Sequence, residues 1–268
     1  MTFTSLFAGH KPMIGMVHLL PLPETPGFGG DVNAIYQQAQ ADAETLIAAG
    51  IDALIVENLG DEPYLIGEPT PAQVAVMASA ASMIRRMTAI PLGINVQFNA
   101  YQAEIALAYA CQAQFVRVEV FVDTVISAQG LVMPCSAQIQ RVRRALGAAD
   151  VQLWADIQTK YTHNLKDQPL TVSAKEAQAA GADALIVTGA ATGQATPLDA
   201  VTEVKRVVML PVVVGSGTTI DSLPDVLRIA DGAIVGSALK VDGRAENPVS
   251  AERAQAFMQA ARAQRGEG

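Results

Sequence analysis

Cysteines, aromatic residues, charges and long apolar runs are all scarce in this chain, and each shortage removes a class of function. Two cysteines, Cys111 and Cys135, in 268 residues cannot build a disulfide framework, so two reduced thiols in a cytoplasmic protein are expected. Charged residues are 16% of the chain and the formal net charge is −8. No run of Lys and Arg offers a stripe for nucleic-acid phosphates, so no nucleic-acid partner is expected. No apolar run approaches the ~20 residues of a membrane span, so no membrane partner is expected either. The stretch 1–10 has neither the basic region nor the apolar region of an export signal. Gly-x-x-x-x-Gly-Lys-Ser/Thr is absent, which leaves a P-loop nucleotide mechanism without its cradle.

Half the residues are hydrophobic, enough for one large core. The most telling stretch is Leu210-Pro-Val-Val-Val-Gly-Ser-Gly-Thr-Thr219. Its unbroken β-branched run suits a strand covered on both faces, and the glycines after it permit a sharp turn with amides turned outward. A shorter copy follows at Ala233-Ile-Val-Gly-Ser237. Gly215, Ser216, Gly217, Gly236 and Ser237 thus predict one shared anion site, most simply for a phosphate.

Apolar runs at 12–18, 51–56, 91–97, 115–118, 151–156, 184–187, 210–214 and 233–235 alternate with helical stretches. Asp31 is placed to cap a helix over 32–49, and Thr70-Pro71 with Gln73 forms a capping box for a helix to about Met87. Asn247-Pro248 is expected to cap the last helix. The alternation predicts an α/β fold with a parallel sheet. Matching phrases enter the even strands: Ala49-Gly-Ile-Asp-Ala-Leu-Ile-Val56, Ala180-Gly-Ala-Asp-Ala-Leu-Ile-Val187 and, more loosely, Ala230-Asp-Gly-Ala-Ile-Val235. Proline leads into three of the odd strands, at Pro12, Pro91 and Pro211. Such repetition predicts a closed (β/α)8 TIM barrel, residues 1–268 as a single domain, because an open sheet would need edge strands and none is visible. The connection after the fourth strand, about 119–134, is unusually long and apolar. It reads as a lid over the site or as a contact in a homo-oligomer.

A barrel places its chemistry where strands end. That rule selects His18, Glu57, Asn58, Asn95, Gln97, Arg117, Glu119, Asp156, Thr188 and Gly189, with Lys160 and His163 in the loop after the fifth strand. Glu119 and Asp156 lead as proton movers, since a carboxylate against apolar walls gains proton affinity. His18 and Lys160 join them as catalytic candidates, and Glu57, Asn58, Asn95, Arg117, His163, Thr188 and Gly189 as substrate contacts. Arg117 and Glu119 share a face and equally suit a structural ion pair. Lys240 is read either as a further contact to the anion or as the partner of Asp242. No cofactor is specified. His18, Glu57, Asp156 and His163 are residue types that hold zinc or manganese, but without tight ligand spacing none is assigned to a metal.

Several segments together resemble the BtpA/SgcQ family over essentially the full length. They are Ile14-Gly-Met-Val-His-Leu-Leu-Pro-Leu-Pro23, Gly50-Ile-Asp-Ala-Leu-Ile-Val-Glu-Asn58, Lys160-Tyr-Thr-His163, Ala182-Asp-Ala-Leu-Ile-Val-Thr-Gly189, Pro211-Val-Val-Val-Gly-Ser-Gly217 and Asp231-Gly-Ala-Ile-Val-Gly-Ser237 with Lys240 and Asp242-Gly243. The resemblance implies a phosphate-binding barrel. It carries associations with carbohydrate metabolism on the SgcQ side and photosystem I biogenesis on the BtpA side, but no settled reaction to transfer. The residues and the resemblance together suggest an enzyme of undetermined reaction acting on a small phosphorylated sugar or nucleoside-like metabolite. A non-catalytic stability or assembly factor and a nucleotide or phosphate-ester hydrolase are the alternatives.

Overall fold

The computed structural model describes residues 2–67, 69–189, 193–215 and 217–266. Along the chain run α1 (Phe3–Leu6), β1 (Met13–His18), α2 (Val32–Ala49), β2 (Ala53–Glu57), α3 (Pro71–Met87), β3 (Leu92–Asn95), α4 (Tyr101–Cys111) and β4 (Phe115–Val118). Next come β5 (Val125–Ser127), β6 (Gly130–Val132), α5 (Ser136–Ala145), β7 (Gln152–Asp156), β8 (His163–Asn164), α6 (Leu170–Ala179) and β9 (Ala184–Val187). The chain closes with α7 (Leu198–Val207), β10 (Val212–Val214), α8 (Leu223–Ile229), β11 (Gly232–Val235) and α9 (Ala251–Arg265). Eight strands pair in parallel and close in the order β1-β11-β10-β9-β7-β4-β3-β2. The fold is a TIM barrel, as the alternation predicts. The predicted caps of α2 and α3 are present, Asp31 accepting from Asn33 N–H and Thr70 forming its box with Gln73. The last helix differs: Ser250, not Asn247-Pro248, is its N-cap.

Strand parity sorts the core into two parts. Ile14, Met16, Ala53, Ile55, Phe115, Trp154, Ala184, Ile186, Val213 and Ile234 fill the lumen, where Phe3 and Phe7 join them. Phe115 stacks on Trp154 at 3.9 Å between centroids. The space for the Phe115 ring exists because position 93 is glycine; a Cβ there would overlap it. The alternate residues, such as Leu54, Val56, Val116, Leu153, Leu185 and Val212, pack outward with the helices. Continuing the inward register upward brings His18, Glu57, Asn95, Arg117 and Asp156 to the mouth.

The repeated aspartates of the even strands act at the opposite end. Asp52 accepts from Met13 N–H (2.7 Å), Asp183 from Leu153 N–H (2.8 Å) and Asp231 from Val212 N–H (2.8 Å). Gln114 does the same for Leu92 N–H at 2.9 Å. Each acceptor also meets a cationic side chain from a neighbouring helix, respectively Arg265, Arg143, Lys205 and Arg85. The sequence period is therefore a set of latches between the starts of neighbouring strands, on the face that serves stability.

The 119–134 connection contains a hairpin. β5 and β6 pair with each other, and β8 joins β5, giving a small antiparallel sheet over the mouth. Val125 and Val132, opposite one another, pack down with Phe98 and Val120. Ile126 and Leu131 occupy the outer face and are exposed.

Candidate functional site

The two glycine turns converge. β10 and β11 are hydrogen-bonded neighbours, and Gly215, Gly217, Gly236 and Ser237 line one small hollow of about 30 Å³ at the centre of the mouth. Gly193 lies against them, and Met16, His18, Glu57, Arg117 and Lys160 also line the hollow. Thr188 packs its methyl beside Gly215. Gly189 and Gly217 both press against the backbone at Gln194, where a Cβ on Gly217 would overlap the carbonyl oxygen. Glycine is required at 217 for that close approach and for its φ of +69°. Ser216 lies outside the described residues.

His18 donates from Nδ1 to the Ala245 carbonyl at 2.8 Å, which leaves Nε2 as the lone-pair nitrogen. Burial pulls its pKa down to about 4, with Lys240 and Lys160 adding to the effect against Glu57. The ring is therefore neutral at pH 7 and presents an acceptor. Glu57 is buried; Oε1 accepts from Gln97 Nε2 at 3.0 Å, while Oε2 has no hydrogen-bond partner among the described residues. A buried carboxylate oxygen left this way beside a cavity is an available acceptor. Lys160 has its pKa lowered by burial and by the Arg117 charge, while Glu57, Asp156 and Glu119 oppose the shift.

Arg117 does not pair with Glu119, although the two follow each other on one strand face. It holds Asp156 through two hydrogen bonds, Nε to Oδ1 at 3.0 Å and Nη2 to Oδ2 at 2.9 Å. Thr159 Oγ1 adds a third bond to Asp156 Oδ2 at 3.1 Å. Burial works against the guanidinium charge, but Asp156 more than offsets it and holds the Arg117 pKa above its ordinary value. Asp156 thus holds Arg117 in place.

Glu119 accepts from Asn95 Nδ2 at 2.7 Å and from Asn99 N–H at 3.1 Å. Burial raises its pKa to about 7, helped by the Asp156 and Glu57 charges and opposed by the Asn95 bond and Arg117. A carboxyl poised near neutrality in a cavity is suited to passing a proton in either direction. Asn95 is fully buried with its amide turned to Glu119, the Arg117 carbonyl and Glu104. It holds Glu119 in place, and its Oδ1 has no hydrogen-bond partner among the described residues. Glu104, one helical turn into α4, was invisible in the strand-end pattern.

Three further candidates lie away from the hollow. Asn58 ties the end of β2 to Asp61 and to the Gln97 backbone. His163 pairs through its backbone with Ile126 in the small sheet and is exposed. Lys240 makes a buried ion pair with Asp42 at 2.7 Å, not with Asp242 or the anion hollow. With Asp156 bound to Arg117 and His163 outside, the mixed set His18, Glu57, Asp156 and His163 is not assembled. Among the described residues no three metal-ligating side chains stand together.

Two larger cavities adjoin the hollow. One, of about 220 Å³, lies under the β5–β6 turn and contains Arg117 and Glu119. The other, of about 630 Å³, opens beside β1 and β2. Lys160 lines all three. The larger cleft is walled by Leu20, Pro21, Tyr64 and Tyr161, loop residues that strand-end reasoning does not reach. Their one sequence signal is two aromatics, in a chain with few, in loops that follow strands.

The BtpA family model matches residues 9–263. The chain belongs to the BtpA family. An uncharacterized protein of Thermococcus kodakarensis is 38% identical over 94% of this chain and 95% of its own length. The photosystem I biogenesis protein BtpA of Synechocystis is 34% identical over 95% of this chain and 89% of its own. Among solved structures, this BtpA-family barrel is similar to a tryptophan synthase of M. tuberculosis, with TM-score 0.63 and 16% identity over 98% and 99% of the two chains. It is also similar to N-(5'-phosphoribosyl)anthranilate isomerase of Pyrococcus furiosus, with TM-score 0.55 and 12% identity over 94% and 99%. At these identities the likeness establishes the barrel, and function has to be argued from the site. Among the described residues no helix is long and apolar enough to cross a membrane.

Proposed function

We propose that this BtpA-family barrel is a cytoplasmic enzyme acting on a small phosphorylated sugar or nucleoside-like metabolite. The observation that carries the reading is the convergence of Gly215, Gly217, Gly236 and Ser237 on one hollow, faced by His18, Glu57, Arg117 and Lys160. Backbone amides in glycine-rich turns can hold a phosphate without net positive charge; the Gly215 N–H is spent on the Val187 carbonyl at 2.8 Å, so the donors are those that follow it. Arg117, fixed by Asp156, and Lys160 add charge where the remainder of the ligand would lie. Glu119 and neutral His18 are the proton-moving groups, and Glu57 orients a hydroxyl through its available oxygen. The reaction class is proton transfer: isomerisation, epimerisation, aldol cleavage or lyase chemistry. Exposed Ile126, Leu131 and Met133 on and beside the hairpin support self-association as a homo-oligomer.

The test is a thermal-shift and calorimetric screen of sugar phosphates and nucleotides against their unphosphorylated counterparts, followed by turnover assays. Phosphorylated members should bind selectively, and Glu119→Gln should abolish turnover while retaining binding. Equal responses to phosphorylated and unphosphorylated compounds would sink the reading. The Synechocystis relative's name favours a second reading, a non-catalytic biogenesis factor with a phosphate sensor. Selective binding with no turnover of any bound compound is the result that supports it.

A further inference from the structure

The phosphate reading leaves the 630 Å³ cleft unexplained, since the hollow between the glycine turns holds little beyond the anion itself. The cleft adjoins the hollow directly, sharing His18, Leu59 and Lys160. Its size falls within the roughly 300–1,000 Å³ of small-ligand sites. Its walls at Leu20, Pro21 and Leu59 cannot return hydrogen bonds to sugar hydroxyls, so a second sugar would be desolvated there without compensation. Tyr64 and Tyr161 provide aromatic surface, which favours a flat π-system.

The polar groups in the cleft restrict the occupant further. Glu62 lines it and opposes a second anionic group, while Asp42 is matched by Lys240 and Glu246 by Arg244. Three amides also line it, and each turns its nitrogen toward a protein acceptor. Gln38 Nε2 donates to Asp42 (2.9 Å), Gln97 Nε2 to Glu57 (3.0 Å) and Asn247 Nδ2 to the Val241 carbonyl (3.0 Å). Those bonds engage the amide nitrogens, and no hydrogen bond among the described residues uses the three carbonyl oxygens, which stay available as acceptors. Together with the Glu62 carboxylate they make an acceptor-rich edge, which calls for a ligand edge that donates.

We propose that the cleft seats the base of a 5'-phosphorylated nucleoside, specifically a base bearing an exocyclic amino group, with its phosphate in the glycine hollow and its ribose passing Lys160. This rests on the phosphate reading above and names the substrate class for that same site. The hydrogen bonds and walls act on the base as a unit separable from the phosphate, so binding should separate in the same way.

The experiment is calorimetry on the full chain with ribose 5-phosphate, AMP, IMP, CMP and UMP. The expected result is that AMP or CMP binds at least tenfold more tightly than ribose 5-phosphate and severalfold more tightly than its oxo partner, IMP or UMP. Asn247→Leu, at a half-buried position, should erase the preference for the amino base and leave ribose 5-phosphate affinity unchanged. Leu20→Ala should weaken nucleotides alone. Ribose 5-phosphate binding as well as every nucleotide, or amino and oxo bases binding equally, overturns this inference while the phosphate reading stands. Failure of all five ligands to bind overturns both.

Discussion

Arg117 and Asp156 form a two-pronged buried ion pair, with side chains 5% and 0% exposed, and Arg117 lines the hollow at the glycine turns. The pair converts two charges at the barrel mouth into a rigid, oriented guanidinium. Removing one partner leaves an uncompensated charge in the interior. Asp156→Ala should cost on the order of 3 kcal/mol or more of folding stability, read as a drop in the urea midpoint at unchanged m-value. A variant with wild-type stability and no turnover would instead return Asp156 to the role of catalytic base.

The pH dependence follows from Glu119. Its ordinary value of 4.5 rises to about 7 in the folded protein, so the native state binds this proton more tightly than the unfolded chain. The resulting stabilisation is complete below about 4.5 and is lost as pH rises through about 7, on the order of 3 kcal/mol in all. His18 runs the other way: with its pKa lowered from 6.5 to about 4, its burial costs stability as pH falls below about 6.5. Urea unfolding of wild type and Glu119→Gln between pH 5 and 7.5 isolates the first effect. The variant should lack the wild type's loss with rising pH; parallel profiles would contradict the shift.

The strand-start latches predict stability changes without functional ones. Asp183 accepts from Leu153 N–H and Arg143 at the face away from the mouth. Asp183→Ala should cost about 1.5–3 kcal/mol, the range for a hydrogen bond to a charged group, and leave ligand affinity unchanged. An altered affinity would mean the two ends of the barrel are coupled.

Gly217 and Gly236 respond differently to a methyl group, although both belong to the hollow. At Gly217 a Cβ would overlap the Gln194 carbonyl oxygen at a φ of +69°, so Gly217→Ala should destabilise the protein. At Gly236 a Cβ would meet His18 Cε1 at 3.4 Å, ordinary contact, on the wall of the hollow. Gly236→Ala should therefore retain most of the stability and weaken phosphate binding severalfold, measured by calorimetry beside thermal unfolding. Unchanged phosphate affinity in a folded Gly236→Ala would place the anion elsewhere.

Local chain chemistry determined the barrel. Apolar runs of strand length, Asp31 and Thr70 as caps, and glycine after Val214 each act over a few neighbouring residues, so their consequences can be read in one dimension. The convergence of positions 215 and 236 was legible for the same reason, since two strands that end alike and are adjacent in order bring their turns to one rim. Pairings between distant side chains were decided only by the tertiary structure. Arg117 has Glu119 two residues away but meets Asp156, because the barrel's curvature brings β7 against β4 while Glu119 is drawn to Asn95 and Asn99. Lys240 finds Asp42 rather than nearby Asp242, since the loop after β11 folds back over α2. The repeated aspartates were visible as a period, yet their work as latches required knowing which strand starts lie side by side. Partner choice depends on direction and burial in space, and sequence separation carries neither.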